Sequence, residues 1–314
     1  MSKNQKKNFY LISFYRFVPI SNKKKLKIKI DKFLKDELVR GTILISNEGI
    51  NGSLSGEMSV LDSFINFLRK ELKIYKLNMN RLNVDSLPFN RFKVRLKKEI
   101  ISTGKNNINI KKYQNNHVNP SEWHQLIKNK HFKLLDVRNN YEISIGKFKN
   151  SINPNTNTFR EFPDKLDRIK ISKCDNIGIY CTGGIRCEKA SYQLKKKGYK
   201  NIFQLKGGII SYLKYVKEKK IDSMWTGECF VFDDRVTINK KLQKGKYIQC
   251  YACRSPITKA DKKLKSYKKG ISCKYCINTK SMRQIKSLTD RQKQIALNEM
   301  RNNDYTFKKI SILN

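Results

Sequence analysis

Apolar positions at the start of this 314-residue chain follow a strand pattern. Residues 8–17 (NFYLISFYRF) are rich in aromatic and β-branched side chains, as strands are. From Ser21 to about Val39 the spacing lengthens to that of a lysine-laden helix, with Leu26, Ile30, Phe33, Leu34 and Leu38 near helical intervals. A strand is predicted at 41–46, a turn over Asn47–Gly52 and a short strand over Gly52–Leu54. Glu57–Leu72 reads as an amphipathic helix with Leu61, Phe64, Ile65 and Leu68 on one face. Strand patterns return at 81–85 and 91–101. The order β-α-β-β-α-β predicts a ferredoxin-like α+β sandwich over residues 1–115.

The polar stretch 103–119 reads as a linker. Pro120, Ser121 and Glu122 then open a short helix. Strands at 133–137, 176–180 and 201–205, with a helix at 187–197, continue an α/β pattern over 116–222. Residues 223–314 are polar, carry five cysteines, four of them in two C-x-x-C pairs, and end in a helical pattern at 289–302. No internal repeat is visible. A three-domain chain, α+β then α/β then cysteine-rich, is the expected architecture.

Composition adds two facts. No run of 18 apolar residues exists, so no membrane span is expected, and the N-terminus lacks the apolar stretch and cleavage site of a secretory signal. A cytoplasmic location follows, where eight cysteines read as thiols or metal ligands rather than disulfides. The formal net charge is +42, which permits binding to nucleic acid. Yet 53 of the 68 basic residues are Lys, and Asn and Ile also abound, a bias that an AT-rich genome imposes on any surface. Charge alone leaves the partner open.

Candidate chemistry concentrates in two places. Cys181 closes an apolar run and is followed by Thr182, Gly183, Gly184, Ile185 and Arg186, a glycine-containing loop ahead of a helix. Backbone N–H groups and the helix dipole there would stabilise a thiolate, and Arg186 would add a fixed positive charge. Cys187 falls in the first helical turn, placed to pack or to resolve an oxidised Cys181. Asp136 and Arg138 end a strand on the same side of the sheet, where they would orient the loop or lock it by an ion pair. His117, His124 and His131 match no catalytic signature and read as surface or packing residues. The second place is the tail. Cys250-x-x-Cys253 and Cys273-x-x-Cys276 are two knuckles at zinc-ribbon spacing, so a structural zinc is expected there.

The loop and its flanks, KLLDVRNNYEISIGKF (133–148) and LKGGIISYLKY (205–215), resemble rhodanese domains. Adding FYRF (14–17), GTILISNEGINGSLSG (41–56), INPNT (152–156), FREFP (159–163), WTGECFVFDDRV (225–236) and the paired knuckles, nearly the whole chain resembles the rhodanese-domain tRNA uridine hydroxylases of bacteria. That resemblance implies oxygen-dependent conversion of the wobble uridine to 5-hydroxyuridine. It also implies Cys181 as the active-site cysteine, the tRNA anticodon loop as partner and molecular oxygen as co-substrate. No flavin, haem or nicotinamide signature and no facial-triad histidines accompany it. A sulfurtransferase carrying a persulfide on Cys181 fits the loop equally well, and a non-catalytic RNA-binding scaffold is the third reading. Protein partners are not indicated.

Overall fold

The computed structural model describes residues 8–104 and 116–300. Most of the predicted linker, and the last two residues of the helix predicted at 289–302, lie outside the described residues. The chain forms two compact units, residues 1–229 with 240–242, and 230–239 with 243–314.

The first unit begins with a five-stranded sheet. Its elements are β1 (Phe9–Phe17), α1 (Lys23–Phe33), β2 (Arg40–Ser46), β3 (Gly49–Gly56), α2 (Met58–Leu72), β4 (Asn78–Val84) and β5 (Phe92–Leu96). The strand order β4-β1-β3-β2-β5 is that of a ferredoxin-like sandwich with β5 added parallel to β2 at the edge. Ile12 and Phe14 of β1 meet Leu26 and Ile30 of α1, with Leu61, Phe64 and Leu68 of α2, in the core under the helices. The period of two then sends Phe9, Leu11, Tyr15 and Phe17 to the opposite face.

Several boundaries differ from expectation, β4 starting at Asn78 and β5 ending at Leu96 among them. Helix α1 ends at Phe33 rather than near Val39, and Asn22, not Ser21, caps it by accepting from Lys25 N at 2.9 Å. Strand β3 begins at Gly49, inside the predicted turn. Gly52 is strand backbone: a Cβ there would lie 2.6 Å from the Phe14 ring, which fills the vacated space.

A second, four-stranded parallel sheet in the order β6-β10-β9-β7 follows within the same unit. Its elements are β6 (Asn116–Val118), α3 (Pro120–Leu126), β7 (Lys133–Asp136), α4 (Asn140–Ile143), β8 (Gly146–Phe148), α5 (Phe162–Lys165), β9 (Asn176–Tyr180), α6 (Ile185–Lys196), β10 (Asn201–Leu205) and α7 (Gly208–Lys219). Strand β6 comes from the predicted linker. Ile177 and Ile179 of β9 pack against Cys187, Ala190 and Leu194 of α6. An aromatic cluster of Trp123, Phe148, Tyr180 and Trp225 fills another part of the core. Trp225 arrives on β11 (Trp225–Gly227), which pairs with β8.

Strand β12 (Cys229–Phe230) spans the junction to the second unit, which holds β13 (Thr237–Ile238), β14 (Ile248–Gln249), β15 (Pro256–Ile257) and α8 (Met282–Met300). Its buried cluster consists of Cys250, Cys273, Cys276 and Ile257. Among the described residues, no helix is long and apolar enough to cross a membrane.

Candidate active site

Cys181 follows the last residue of β9, at the carboxyl end of a parallel sheet, where open α/β folds bind their ligands. Gly184 caps α6 with φ +99°, a left-handed conformation that glycine adopts without strain. This turn aims the start of α6 at the sulfur, and Gly184 N donates to Cys181 Sγ at 3.0 Å. The carbonyls of Cys181 and Thr182 point the other way, accepting from Ile209 N at 3.0 Å and Ile210 N at 3.2 Å at the start of α7. Gly208 permits that approach, because a Cβ there would sit 2.4 Å from the Cys181 carbonyl oxygen.

Cys181 is 1% exposed. Burial pushes the thiol up, but the Cys187 hydrogen bond, the Arg186 charge and the N–H groups of Arg186 and Cys187 outweigh it. Cys181 therefore titrates at about 6. Cys187 moves the opposite way: burial and the neighbouring sulfur hold it well above the ordinary thiol range, so it stays protonated and donates. Sequence reasoning offered packing or a resolving role for Cys187. In the structure it packs and also supports the thiolate.

Arg186 is fixed by a residue that sequence reasoning passed over. Glu142, fully buried on α4, accepts from both terminal nitrogens of Arg186 at 2.6 and 2.7 Å. Burial raises its carboxyl pKa, and Arg186, Arg138 and the Asn139 N–H overcome that and hold it below the ordinary value. Thr182 Oγ1 lies 3.4 Å from the same carboxylate, so loop and helix share one anion. Asp136 and Arg138 form the expected ion pair: Arg138 Nε and Nη2 donate to the two carboxylate oxygens at 2.9 and 2.6 Å. Arg138 Nη2 also reaches Gly146 O at 2.7 Å, and its guanidinium lies 4.9 Å from the Trp225 ring centroid. These two residues tie β7 to β8. Gly183 and Ile185 complete the turn between strand and helix.

The N-terminal sheet touches this loop directly. Tyr15 Oη donates to Glu188 Oε1 at 2.9 Å, and a Cβ on Gly184 would lie 3.1 Å from that hydroxyl. Asn80 of β4 donates to Gly207 O at 2.8 Å. Gln204 Nε2 and His117 Nε2 also lie 3.1 Å from Glu188 Oε1. Burial and the Glu188 charge keep Tyr15 protonated, well above the ordinary phenol range. Lys189 is wholly buried and bridges Glu99 at 2.6 Å and Glu48 at 2.9 Å, joining α6 to two acids of the N-terminal segment. Of the other histidines, His124 is buried against the Tyr212 hydroxyl at 3.1 Å, and His131 is exposed. The FYRF motif carried the signal for Tyr15, and nothing local says what Tyr15, Glu188 or Lys189 touches.

In the second unit Cys250, Cys253, Cys273 and Cys276 converge, with all four sulfurs within 4.8 Å of one another and none in a disulfide. Cys253 and Cys276 each lie 3.7 Å from Cys273, sulfur to sulfur. A tetrahedral zinc with Zn–S bonds of about 2.3 Å sets sulfur–sulfur edges of about 3.8 Å, so the four residues fit that ion.

Known proteins match the chain in part and as a whole. Residues 9–100 match the UPF0176 acylphosphatase like domain, and residues 119–214 match the Rhodanese-like domain. Solved structures similar to part of the chain include a rhodanese-like domain from Anabaena sp. (TM-score 0.30, 19% identity, covering 36% of this chain and 80% of that one). A rhodanese-related protein from Thermoplasma volcanium is another (TM-score 0.28, 27% identity, covering 32% of this chain and 92% of that one). A tRNA uridine(34) hydroxylase from Pelagibacter ubique (strain HTCC1062) is 41% identical over 302 residues, 96% of this chain and 99% of that protein. At that identity and coverage, the chain belongs to the tRNA uridine(34) hydroxylase family.

Proposed function

We propose that this chain hydroxylates C5 of the uridine at position 34 of tRNA, with Cys181 as nucleophile and molecular oxygen as co-substrate. The observation that carries the reading is a cysteine titrating at about 6 within a ring of N–H donors, in a chain of this family. Uracil is electrophilic at C6. The thiolate forms an S–C6 bond there, and the C5=C6 electron pair shifts toward the C4 carbonyl as an enolate. Loop N–H groups or Arg186 stabilise that developing charge. Dioxygen captures the carbanion at C5 as a hydroperoxide. A pair of solution thiols reduces it to the alcohol, releasing water and a disulfide. Loss of the C5 proton with expulsion of Cys181 then restores the C5=C6 bond.

The nearly buried sulfur requires the base to leave the stack of the anticodon loop and enter edge first. In this reading residues 1–115 and 223–314 hold the tRNA while 116–222 carry the chemistry, and the cytoplasm is where the substrate resides. The four cysteines of the second unit hold one structural zinc, which replaces the apolar core that this unit lacks.

The test is nucleoside mass spectrometry of unmodified tRNA incubated with the protein, a thiol reductant and ¹⁸O₂. Labelled 5-hydroxyuridine from the parent, and none from Cys181→Ser, supports the reading. Label arriving from water, or product formed by both proteins, refutes it. Thiolated uridine formed in the presence of thiosulfate would instead establish the sulfurtransferase.

A further inference from the structure

A cleft of about 410 Å³ opens between the N-terminal sheet and the second sheet of the first unit. Arg16, Phe17, Lys76, His117, Glu188 and Lys206 line it. The volume falls in the range of small-ligand sites. Its charge is unbalanced: Arg16, Lys76 and Lys206 face one carboxylate, and Glu188 already accepts from Tyr15 and Gln204 and is paired with His117.

Arg16 is the telling residue. Its Nε is buried and has no hydrogen-bond partner, and among the described residues its guanidinium makes no ion pair. Arg69 and Arg81 also bury an unbonded Nε, but their terminal nitrogens reach Asn66 and Asp62. The fully buried cations near the active site all have acids: Arg138 has Asp136, Arg186 has Glu142 and Lys189 has Glu48 and Glu99. A buried guanidinium donor left unpaired costs free energy, which an anion in the cleft would recover. Phe17, half-buried among the lining residues with Lys189 Nζ 6.0 Å from its ring centroid, is an aromatic ring of the kind on which bases stack. Glu188 connects the cleft to the catalytic loop, because the oxygen shared with His117 also takes the Tyr15 hydroxyl under Gly184.

We infer that this cleft is a nucleotide subsite for the RNA substrate, taking a nucleotide next to the reacting one. Arg16, Lys76 and Lys206 hold its phosphodiester and Phe17 holds the face of its base. The inference rests on tRNA being the substrate.

It is tested by fluorescence anisotropy of an unmodified anticodon stem-loop transcript, titrated with full-length Cys181→Ala protein at several salt concentrations. The added pair Arg16→Gln and Lys76→Gln should weaken binding about ten-fold or more. The same pair should lower the slope of log affinity against log salt by about one, because the cations of the cleft share a single phosphodiester. The pair Lys128→Gln and Lys130→Gln, two exposed lysines after α3, serves as control and should change affinity less than about two-fold. Should the Arg16 pair fail to fold, Lys206→Gln, at an exposed position, replaces it with an expected slope change of about one. Parental affinity and slope in the cleft variant overturn the inference, and so does an equal loss in the control. If the parent with Cys181 intact makes no 5-hydroxyuridine but binds the stem-loop through Arg16, the enzymatic reading fails and the subsite stands. If it hydroxylates and the cleft variants bind normally, the reverse holds.

Discussion

The Tyr15 hydroxyl, carried on the first strand of the N-terminal sheet, donates to Glu188 of α6 at 2.9 Å, directly beneath Gly184 of the Cys181 loop. A side chain 173 positions away from Glu188 in sequence therefore closes against the Cys181 loop. Tyr15→Phe removes one donor from a buried carboxylate, a loss of about 1–3 kcal/mol. We expect a lower melting temperature and a several-fold fall in hydroxylation, read by thermal melt and nucleoside mass spectrometry. An unchanged rate and melt together would remove Tyr15 from any part in holding the loop.

Cys181 sets the pH dependence. Its alkylation rate should rise with pH through about 6 and then level off, as the thiolate population saturates. Cys187→Ala deletes a donor to that thiolate and should move the midpoint upward by about one unit, whereas Cys187→Ser keeps a donor and most of the activity. Stability follows with a definite sign. The folded value lies below the ordinary thiol value of 9.0, so the thiolate stabilises the fold fully above about pH 9. That contribution declines as pH falls and is gone below about 6. The melting difference between the parent and Cys181→Ala should shrink over the same window, and a difference that widened on acidification would contradict the assignment.

Lys189 holds two acids from a fully buried position. Lys189→Met leaves Glu99 and Glu48 without their cation, at a cost of about 3 kcal/mol. At about 2–4 °C per kcal/mol for a unit of this size, the melting temperature should drop by about 6–12 °C. Limited proteolysis should also show earlier cleavage between the two sheets of the first unit. A variant melting with the parent would show that the ammonium is dispensable.

The purified protein should carry about one zinc per chain by elemental analysis, and Cys273→Ala should carry much less. Chelation should make the second unit protease-sensitive before the first, since the sulfurs occupy the place of its core. Metal-free protein, prepared without chelators and with an intact second unit, would exclude a structural ion.

What could be read from the sequence was local. Cys181 and its loop declare themselves because strand, glycines and helix are contiguous, and the two knuckles because metal geometry fixes their spacing. The β-α-β-β-α-β order was likewise legible. Gly52 misled because glycine signals a turn, and only the Phe14 ring on the neighbouring strand explains its place in β3. Strand β6 lies in the stretch whose polarity predicts a linker, because three residues are too short for periodicity, and its identity comes from pairing with Phe203–Leu205. Helix α6 starts at Ile185 rather than 187 because Gly184 turns the chain in a left-handed conformation that pattern alone does not reveal. Glu142 and Tyr15 stayed hidden since their roles depend on partners 44 and 173 residues away.

Arg186, Cys187, Glu188 and Lys189 are four consecutive residues with four different partners: the Glu142 carboxylate, the Cys181 sulfur, the Tyr15 hydroxyl and the Glu48–Glu99 pair. An α-helix advances about 100° per residue, so little more than one turn of α6 works as a four-way connector. Its wiring depends on phase. Deleting a single residue between Cys181 and Arg186 would rotate every connection by about a quarter turn, presenting Cys187 to the acid and Glu188 to the sulfur. Length in this loop is therefore as constrained as chemistry, and substitutions there should be tolerated far better than any insertion or deletion.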